Sequence, residues 1–182
     1  MPYTFHLMTE ADAHTMLTWR YPEPYAIYSS AADAPRESAA TWLREFLDRR
    51  SPYYAVREEG AAPDSESVGF VCFGSSAEVG GELNPDMPPE PHIFRADGAI
   101  AIGLGMRPDL TGKGQGAAFL RAALAFGRAT YHPRLFRLFV FEWNARAIKV
   151  YERAGFKPVG QVAQPMRHGE PRIFLEMARE ED

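Results

Sequence analysis

The sequence predicts an α/β fold: one mixed, largely antiparallel sheet of about seven strands, flanked by about four helices. Three observations predict it. Strand-like and helix-like segments alternate through the second half of the chain, strand segments in the first half follow one another as hairpins do, and no internal repeat interrupts the order. The chain has 182 residues, of which 46% are hydrophobic and 24% charged, which suits a single domain over residues 1–182. A chain of this length hides roughly 70% of its unfolded surface and needs no staples. Its one cysteine, Cys72, rules out an internal disulfide framework and a Cys-based zinc site.

The elements follow in order. Tyr3, Phe5 and Leu7 alternate with polar residues and form a first strand. Thr9-Glu10-Ala11-Asp12 resembles a capping box, so a short helix follows to about Trp19. Trp19, Tyr21, Tyr25 and Tyr28 then cluster on a stretch that Pro22 and Pro24 keep irregular. From Pro35 to Arg50, the residues Ala39, Trp42, Leu43, Phe46 and Leu47 recur at helical spacing. Tyr53–Val56 and Ser67–Phe73 are strands joined by a turn-rich segment, and residues 80–97, with Gly80-Gly81 and four prolines, form a long surface loop. A small-residue strand occupies Gly98–Met106, and an Ala/Leu/Phe helix opens on glycines across Gly112–Ala129. Leu135–Phe141 is a strand, and Asn144–Ala154 is a helix with an asparagine at its start and Gly155 past its end. Two strands near Lys157–Ala163 and Arg172–Met177 complete the sheet.

Composition excludes several classes. The opening residues lack the basic and apolar regions of a secretory signal, no apolar run approaches the ~20 residues that span a bilayer, and Glu180-Glu181-Asp182 carries no lipidation box. The expectation is a cytoplasmic protein with no membrane partner. A net charge of −4, from 24 acids against 17 arginines and 3 lysines, argues against nucleic-acid binding by bulk charge. His6, His14, His92, His132 and His168 show no metal-ligand spacing, so no metal is expected.

The most informative stretch is Arg107-Pro108-Asp109-Leu110-Thr111-Gly112-Lys113-Gly114-Gln115-Gly116-Ala117. It lies between a strand and a helix, where free backbone N–H groups and the positive helix end receive phosphates. Glycines at alternate positions let the backbone approach an anion and adopt positive φ; the plainer alternative is a tight turn at a helix start. A P-loop is excluded, because Gly114 follows Lys113 where Ser or Thr is required. Gly112-x-Gly114-x-x-Ala117 formally satisfies the Rossmann fingerprint, but Arg107–Thr111 separate it from its strand, and the acid expected about 20 residues on is missing.

This stretch resembles the acyl-CoA pyrophosphate loop of the GNAT superfamily of N-acetyltransferases. Leu138–Phe156, ending in Tyr151-x-x-x-Gly155-Phe156, resembles that family's next strand–helix unit, in the family's order and at its usual separation. Asp109 departs from the pattern, since the family more often carries Gln or Arg there. The resemblance implies the GNAT-like fold, acetyl-CoA as co-substrate, a CoA-binding core over residues 98–156 and an acceptor-side region over residues 9–50. It is compatible with a homodimer.

The resemblance also implies roles. The Gly98–Met106 strand splays from Leu135–Phe141, and the slot takes the pantetheine arm on the backbone of Leu104 and Met106. Thr111, Gly112, Lys113, Gly114, Gln115, Gly116 and Ala117 hold the pyrophosphate, and Asn144 caps its helix and touches the cofactor. Gly103 and Gly105 suit a bulged strand that a ligand approaches closely; relief of packing explains them equally. Tyr151, seven residues after Asn144, faces the same slot and is the candidate general acid for a thiolate whose conjugate acid has a pKa of about 8.5; on pattern alone it is a half-buried core tyrosine. The base is not identified: Glu142, Glu78 and Glu82 are candidates. The aromatic cluster from Trp19 to Tyr28 suits a wall for the acceptor, a primary amine of a small molecule or of a peptide N-terminus. The competing reading is a non-catalytic acyl-CoA-binding or interaction module on the same fold.

Overall fold

The computed structural model describes residues 3–29, 36–62, 65–79, 92–95, 97–164 and 171–181. Seven strands form one sheet: β1 (Tyr3–Leu7), β2 (Tyr53–Glu58), β3 (Gly69–Phe73), β4 (Ala99–Met106), β5 (Leu135–Phe141), β6 (Lys157–Gln164) and β7 (Arg172–Glu180), in the spatial order β1-β2-β3-β4-β5-β7-β6. Every neighbouring pair is antiparallel except β4 with β5. The helices are α1 (Glu10–Leu17), α2 (Arg36–Phe46), α3 (Gly116–Tyr131) and α4 (Ala145–Arg153). Most of the loop expected over residues 80–97 lies outside the described residues, as does Glu82.

The period-2 pattern of the strands sorts the two faces. On one face Ile100 and Ile102 of β4 and Phe136, Leu138 and Val140 of β5 form a buried cluster with Phe119, Leu120, Ala123 and Leu124 of α3. On the other, Met16, Leu17, Trp19 and Phe46, from α1, α2 and the residue pair beyond α1, pack with Tyr53 and Cys72. Each such large side chain stabilises the fold by roughly 1.5–3 kcal/mol on burial. The buried Cys72 thiol is pushed up to about 12 by loss of solvent, so it is a packing residue rather than a nucleophile.

Several boundaries differ from the sequence reading, three helix ends among them. The first helix stops at Leu17, because the Thr18 hydroxyl and the Trp19 N–H turn back onto Thr15 and Met16 carbonyls. The second ends at Phe46 rather than Arg50, beyond one further helical bond from Leu47 to Leu43. The third begins at Gly116, not Gly112: Gly112 and Gly114 have φ of 75° and 78°, a left-handed conformation that a right-handed helix cannot contain.

The α1 start is tied to the sheet by one carboxylate. Thr9 and Asp12 form a reciprocal capping box, and the Arg57 guanidinium on β2 donates to Asp12 at 2.6 Å, with Ser67 at 3.2 Å. Burial alone would raise the Asp12 pKa, but the Thr9 hydrogen bonds and the Arg57 charge outweigh it and the net shift is downward. The contribution is therefore complete above the ordinary aspartate value of about 4 and fades as pH falls through the lowered one. Asp12→Ala, which also leaves Arg57 unpaired, is expected to cost about 3–5 kcal/mol in urea unfolding at pH 7. A loss under about 1 kcal/mol would show that the pair is not structural.

Candidate active site

The site begins where two parallel strands part. β4 and β5 pair at only three positions, Ala99 with Leu135, Ile100 with Phe136 and Ala101 with Arg137, yet β4 runs on to Met106 and β5 to Phe141. Among the described residues, the edge of β4 that faces β5 therefore has no strand beside it from Ile102 to Met106. The Arg107 N–H donates to Val68 at 2.9 Å, so the alternation of the antiparallel ladder turns Gly103 and Gly105 toward β3, and Leu104 and Met106 toward the gap. These are the two backbone positions expected to line the slot. The expected bulge is absent: β3 and β4 stay in continuous register from Gly69 with Met106 to Phe73 with Ile102. Close packing accounts for the two glycines instead. A Cβ on Gly103 would meet Cys72 Sγ at 2.7 Å, and one on Gly105 would meet the Phe70 ring at 2.4 Å.

At the open end of the gap the chain enters the glycine turn. Pro108–Leu110 make a single 3₁₀ turn, which the Thr111 hydroxyl closes by donating to Pro108 O at 2.8 Å. Gly112 and Gly114 follow in the left-handed region. Gln115 stands at the N-cap of α3 without a side-chain capping bond, no acid occupies the first turn, and the first helical bond is Phe119 N–H to Gln115 O. The N–H groups of Gly116, Ala117 and Ala118 are thus without an intrahelical partner at the positive end of a 16-residue helix. Nothing lies within 4 Å of a Cβ built on Gly114. An anion fits this open, donor-rich turn. Asp109, the departure from the family pattern, is engaged by Arg107, which donates to it at 2.7 and 3.2 Å and also reaches Glu66.

Sequence reasoning missed Arg146. Its Nη1 would lie 3.5 Å from a Cβ on Gly112, and its guanidinium lies 4.5 Å over the Tyr25 ring. Among the described residues it has no carboxylate partner. A signal was present: Arg146 sits in the first turn of α4, where the helix dipole disfavours a cation unless an anion offsets it.

Asn144 is 7% exposed and caps α4, accepting from the Ala147 N–H at 3.2 Å, while its Nδ2 donates to the Tyr28 hydroxyl at 2.9 Å. Tyr21 donates to Met106 O at 2.7 Å, and the two tyrosine rings meet edge-on at 6.4 Å. The aromatic segment thus straps the mouth of the gap from the end of β4 to the start of α4, and its Tyr25–Tyr28 stretch is a 3₁₀ turn rather than irregular chain. Tyr28 also contacts Phe141 at 5.5 Å and Trp143 at 6.3 Å, and Phe141 stacks on Phe174 at 4.2 Å. Tyr151 is half-buried against the same core cluster as Leu104 and Met106. Its ring meets Phe156 edge-on at 6.1 Å, its hydroxyl bonds to no described residue, and burial, with Tyr28 nearby, holds its pKa well above the ordinary phenol range.

The three carboxylate candidates separate. Glu142 is exposed beyond the end of β5, Glu82 lies outside the described residues, and Glu78 is buried with its pKa raised by loss of solvent, partly offset by Arg95. No group of three or more His, Cys, Asp or Glu among the described residues is arranged to hold a metal ion. No described helix is long and apolar enough to cross a membrane.

A search of curated proteins by sequence finds no match. Solved structures share the fold. The spermidine N-acetyltransferase of Vibrio cholerae in complex with CoA and spermine superposes with a TM-score of 0.69 at 14% identity, covering 98% of this chain and 95% of that one. A chimera of the Vibrio cholerae enzyme and hSSAT gives 0.70 at 14% identity, covering 99% and 96%. A GNAT-family acetyltransferase from Bacillus anthracis gives 0.69 at 14% identity, covering 99% and 95%. The family model for the acetyltransferase (GNAT) family matches residues 13–156, a span that takes in the slot, the glycine turn and α4. The chain belongs to the acetyltransferase (GNAT) family and is an acyltransferase.

Proposed function

We propose that the protein transfers an acetyl group from acetyl-CoA to a primary amine, on a small molecule or a peptide N-terminus, by direct attack in a ternary complex. The observation that carries this reading is the gap between β4 and β5 with the uncapped, glycine-lined start of α3 at its open end. Acetyl-CoA supplies an activated acetyl thioester. The chain's part is to bind and orient it and to manage protons. Gly112–Ala117 hold the pyrophosphate on backbone N–H groups, with Lys113 and Arg146 adding cations. The inward edges of Leu104 and Met106 take the pantetheine arm, and the Leu104 N–H polarises the thioester carbonyl. The Met106 carbonyl bonds to Tyr21 in this structure, so Tyr21 gives way or shares that acceptor when the arm enters.

Tyr151 is the proton donor to the departing thiolate. Its raised pKa keeps the phenol neutral throughout the working pH range, which is the form that can donate. Asn144 sets the start of α4 and hence the position of Tyr151 two turns along. The acceptor side is the aromatic wall of Tyr25, Tyr28, Phe141 and Trp143. The spermine in the Vibrio cholerae complex makes polyamines natural members of the first panel to test, alongside small monoamines and peptides.

Calorimetric titration with acetyl-CoA is expected to show one site. Arg146→Ala should weaken it roughly tenfold, and absence of binding at hundreds of micromolar contradicts the reading. Free-thiol release with an amine panel separates an enzyme from a binding module: binding without release on any amine would leave only the module. Once an acceptor is in hand, Tyr151→Phe is expected to lower kcat by roughly 10²-fold with the acetyl-CoA Kd unchanged. Equal turnover in the variant removes Tyr151 from the mechanism.

A further inference from the structure

The amine needs a base, and one buried carboxylate keeps an oxygen that no described residue engages. Glu78 follows the 3₁₀ turn Gly74–Ala77, which leads out of β3. The turn is fastened twice to Ser51, whose hydroxyl accepts from the Ser76 N–H at 2.8 Å and whose carbonyl accepts from the Ser76 hydroxyl at 3.1 Å. The Ser75 N–H donates to His92 O at 2.8 Å. Ala77 lies against β4, 3.4 Å from a Cβ built on Gly103, two residues past the last position where β4 pairs with β5. Glu78 is therefore held over the point where the slot opens.

Its side chain is 1% exposed. Oε2 accepts from Arg95 Nη1 at 2.9 Å, whereas Oε1 is buried and has no hydrogen-bond partner among the described residues. A carboxylate oxygen removed from water without a donor opposes folding and is uncommon in native proteins. None of the described charges around it donates to Oε1, although the Arg137 Nε is likewise buried without a partner. Arg137 of β5 is engaged by Glu176 of β7 and by Asp97. Glu176 faces Glu78 as a like charge, and Arg95 and His92 face it as the favourable ones. Gly103 and Ala101 of β4, Phe141 of β5 and Phe174 and Glu176 of β7 lie on this same face of the sheet by register. An amine lying along that face has the aromatic wall at one end and Glu78 at the other.

We propose that Glu78 is the general base of the reaction, with Oε1 the atom that takes a proton from the acceptor ammonium and Arg95 the residue that positions it; this rests on the acetyl-transfer reading above. The protons balance. The ammonium gives one proton to Oε1, which passes it to water. The freed amine forms the C–N bond to the thioester carbonyl, and the C–S bond breaks as the tetrahedral intermediate collapses. Tyr151 protonates the thiolate and recovers its proton from the attacking nitrogen, leaving amide, thiol and one released proton.

The test is kcat/KM against pH, by thiol release, for the wild type and Glu78→Gln, with the acetyl-CoA Kd measured in parallel. The expected result is a wild-type acid limb that lies above the ordinary glutamate range. In Glu78→Gln, kcat falls by roughly 10²-fold or more, the Kd stays within about twofold, and the acid limb is replaced by a rate that climbs with pH toward the amine's own pKa. A variant as fast as the wild type overturns the role of Glu78 and leaves the acetyl-transfer reading intact. Loss of rate with an unchanged acid limb assigns Glu78 a structural role only and also overturns it. A wild type that turns over no amine sinks the acetyl-transfer reading itself. If Glu78→Gln does not fold, the wild-type profile decides: activity flat down through the ordinary glutamate range rejects the proposal.

Discussion

The structure depends on one interrupted pairing. β4 and β5 are the only parallel neighbours in the sheet, and they hold together for three residues before separating. Parallel pairing requires a crossover, and α3 with its entry turn supplies it, so the helix start is delivered to the open end of the gap by connectivity alone. The gap persists because each strand is secured on its other side. β4 is in continuous register with β3, and β5 pairs with β7 along its whole length. Separation leaves the backbone groups of Leu104 and Met106 unpaired by a strand, a cost that a bound chain of amides can offset.

Around that gap the cations and the helix dipole would favour an anion. The start of α3 lacks a capping side chain, Gly112 and Gly114 keep side chains out of the way, and Arg146 stands in a helix first turn where a cation is otherwise disfavoured. Any one of these has a local explanation; their meeting in one place does not. Tyr21 and Tyr28 bridge the mouth of the gap from Met106 to Asn144, and a buried acid, Glu78, follows the turn that packs against Gly103.

Much of this was legible in the residues. Period-2 and helical patterns located the strands and helices, and the paired motifs at Gly112–Ala117 and Asn144–Phe156 pointed to the candidate site. The failures have physical causes. Alternating glycines were read as a helix start when their positive φ holds the chain out of the helix until Gly116. Gly103 and Gly105 suited a bulge and relief of packing equally, and contacts between distant parts of the chain, with Cys72 and Phe70, decide for packing. Arg146 was hidden for the same reason, and Glu78, one of three candidate bases, could not be singled out from Glu142 and Glu82 by sequence alone. One matters through its proximity to Gly112, the other through a buried oxygen without a partner, and neither property is local in sequence.

The central claim is that the parted strands and the glycine turn together form one cofactor site. Backbone amide chemical shifts followed during titration with CoA test it most directly. The account predicts that the largest changes fall on Leu104, Met106 and Gly112–Ala117, with Asn144 and Arg146 moving at the same ligand concentrations. Saturable binding that leaves those amides unmoved, and perturbs another face of the sheet instead, would contradict it.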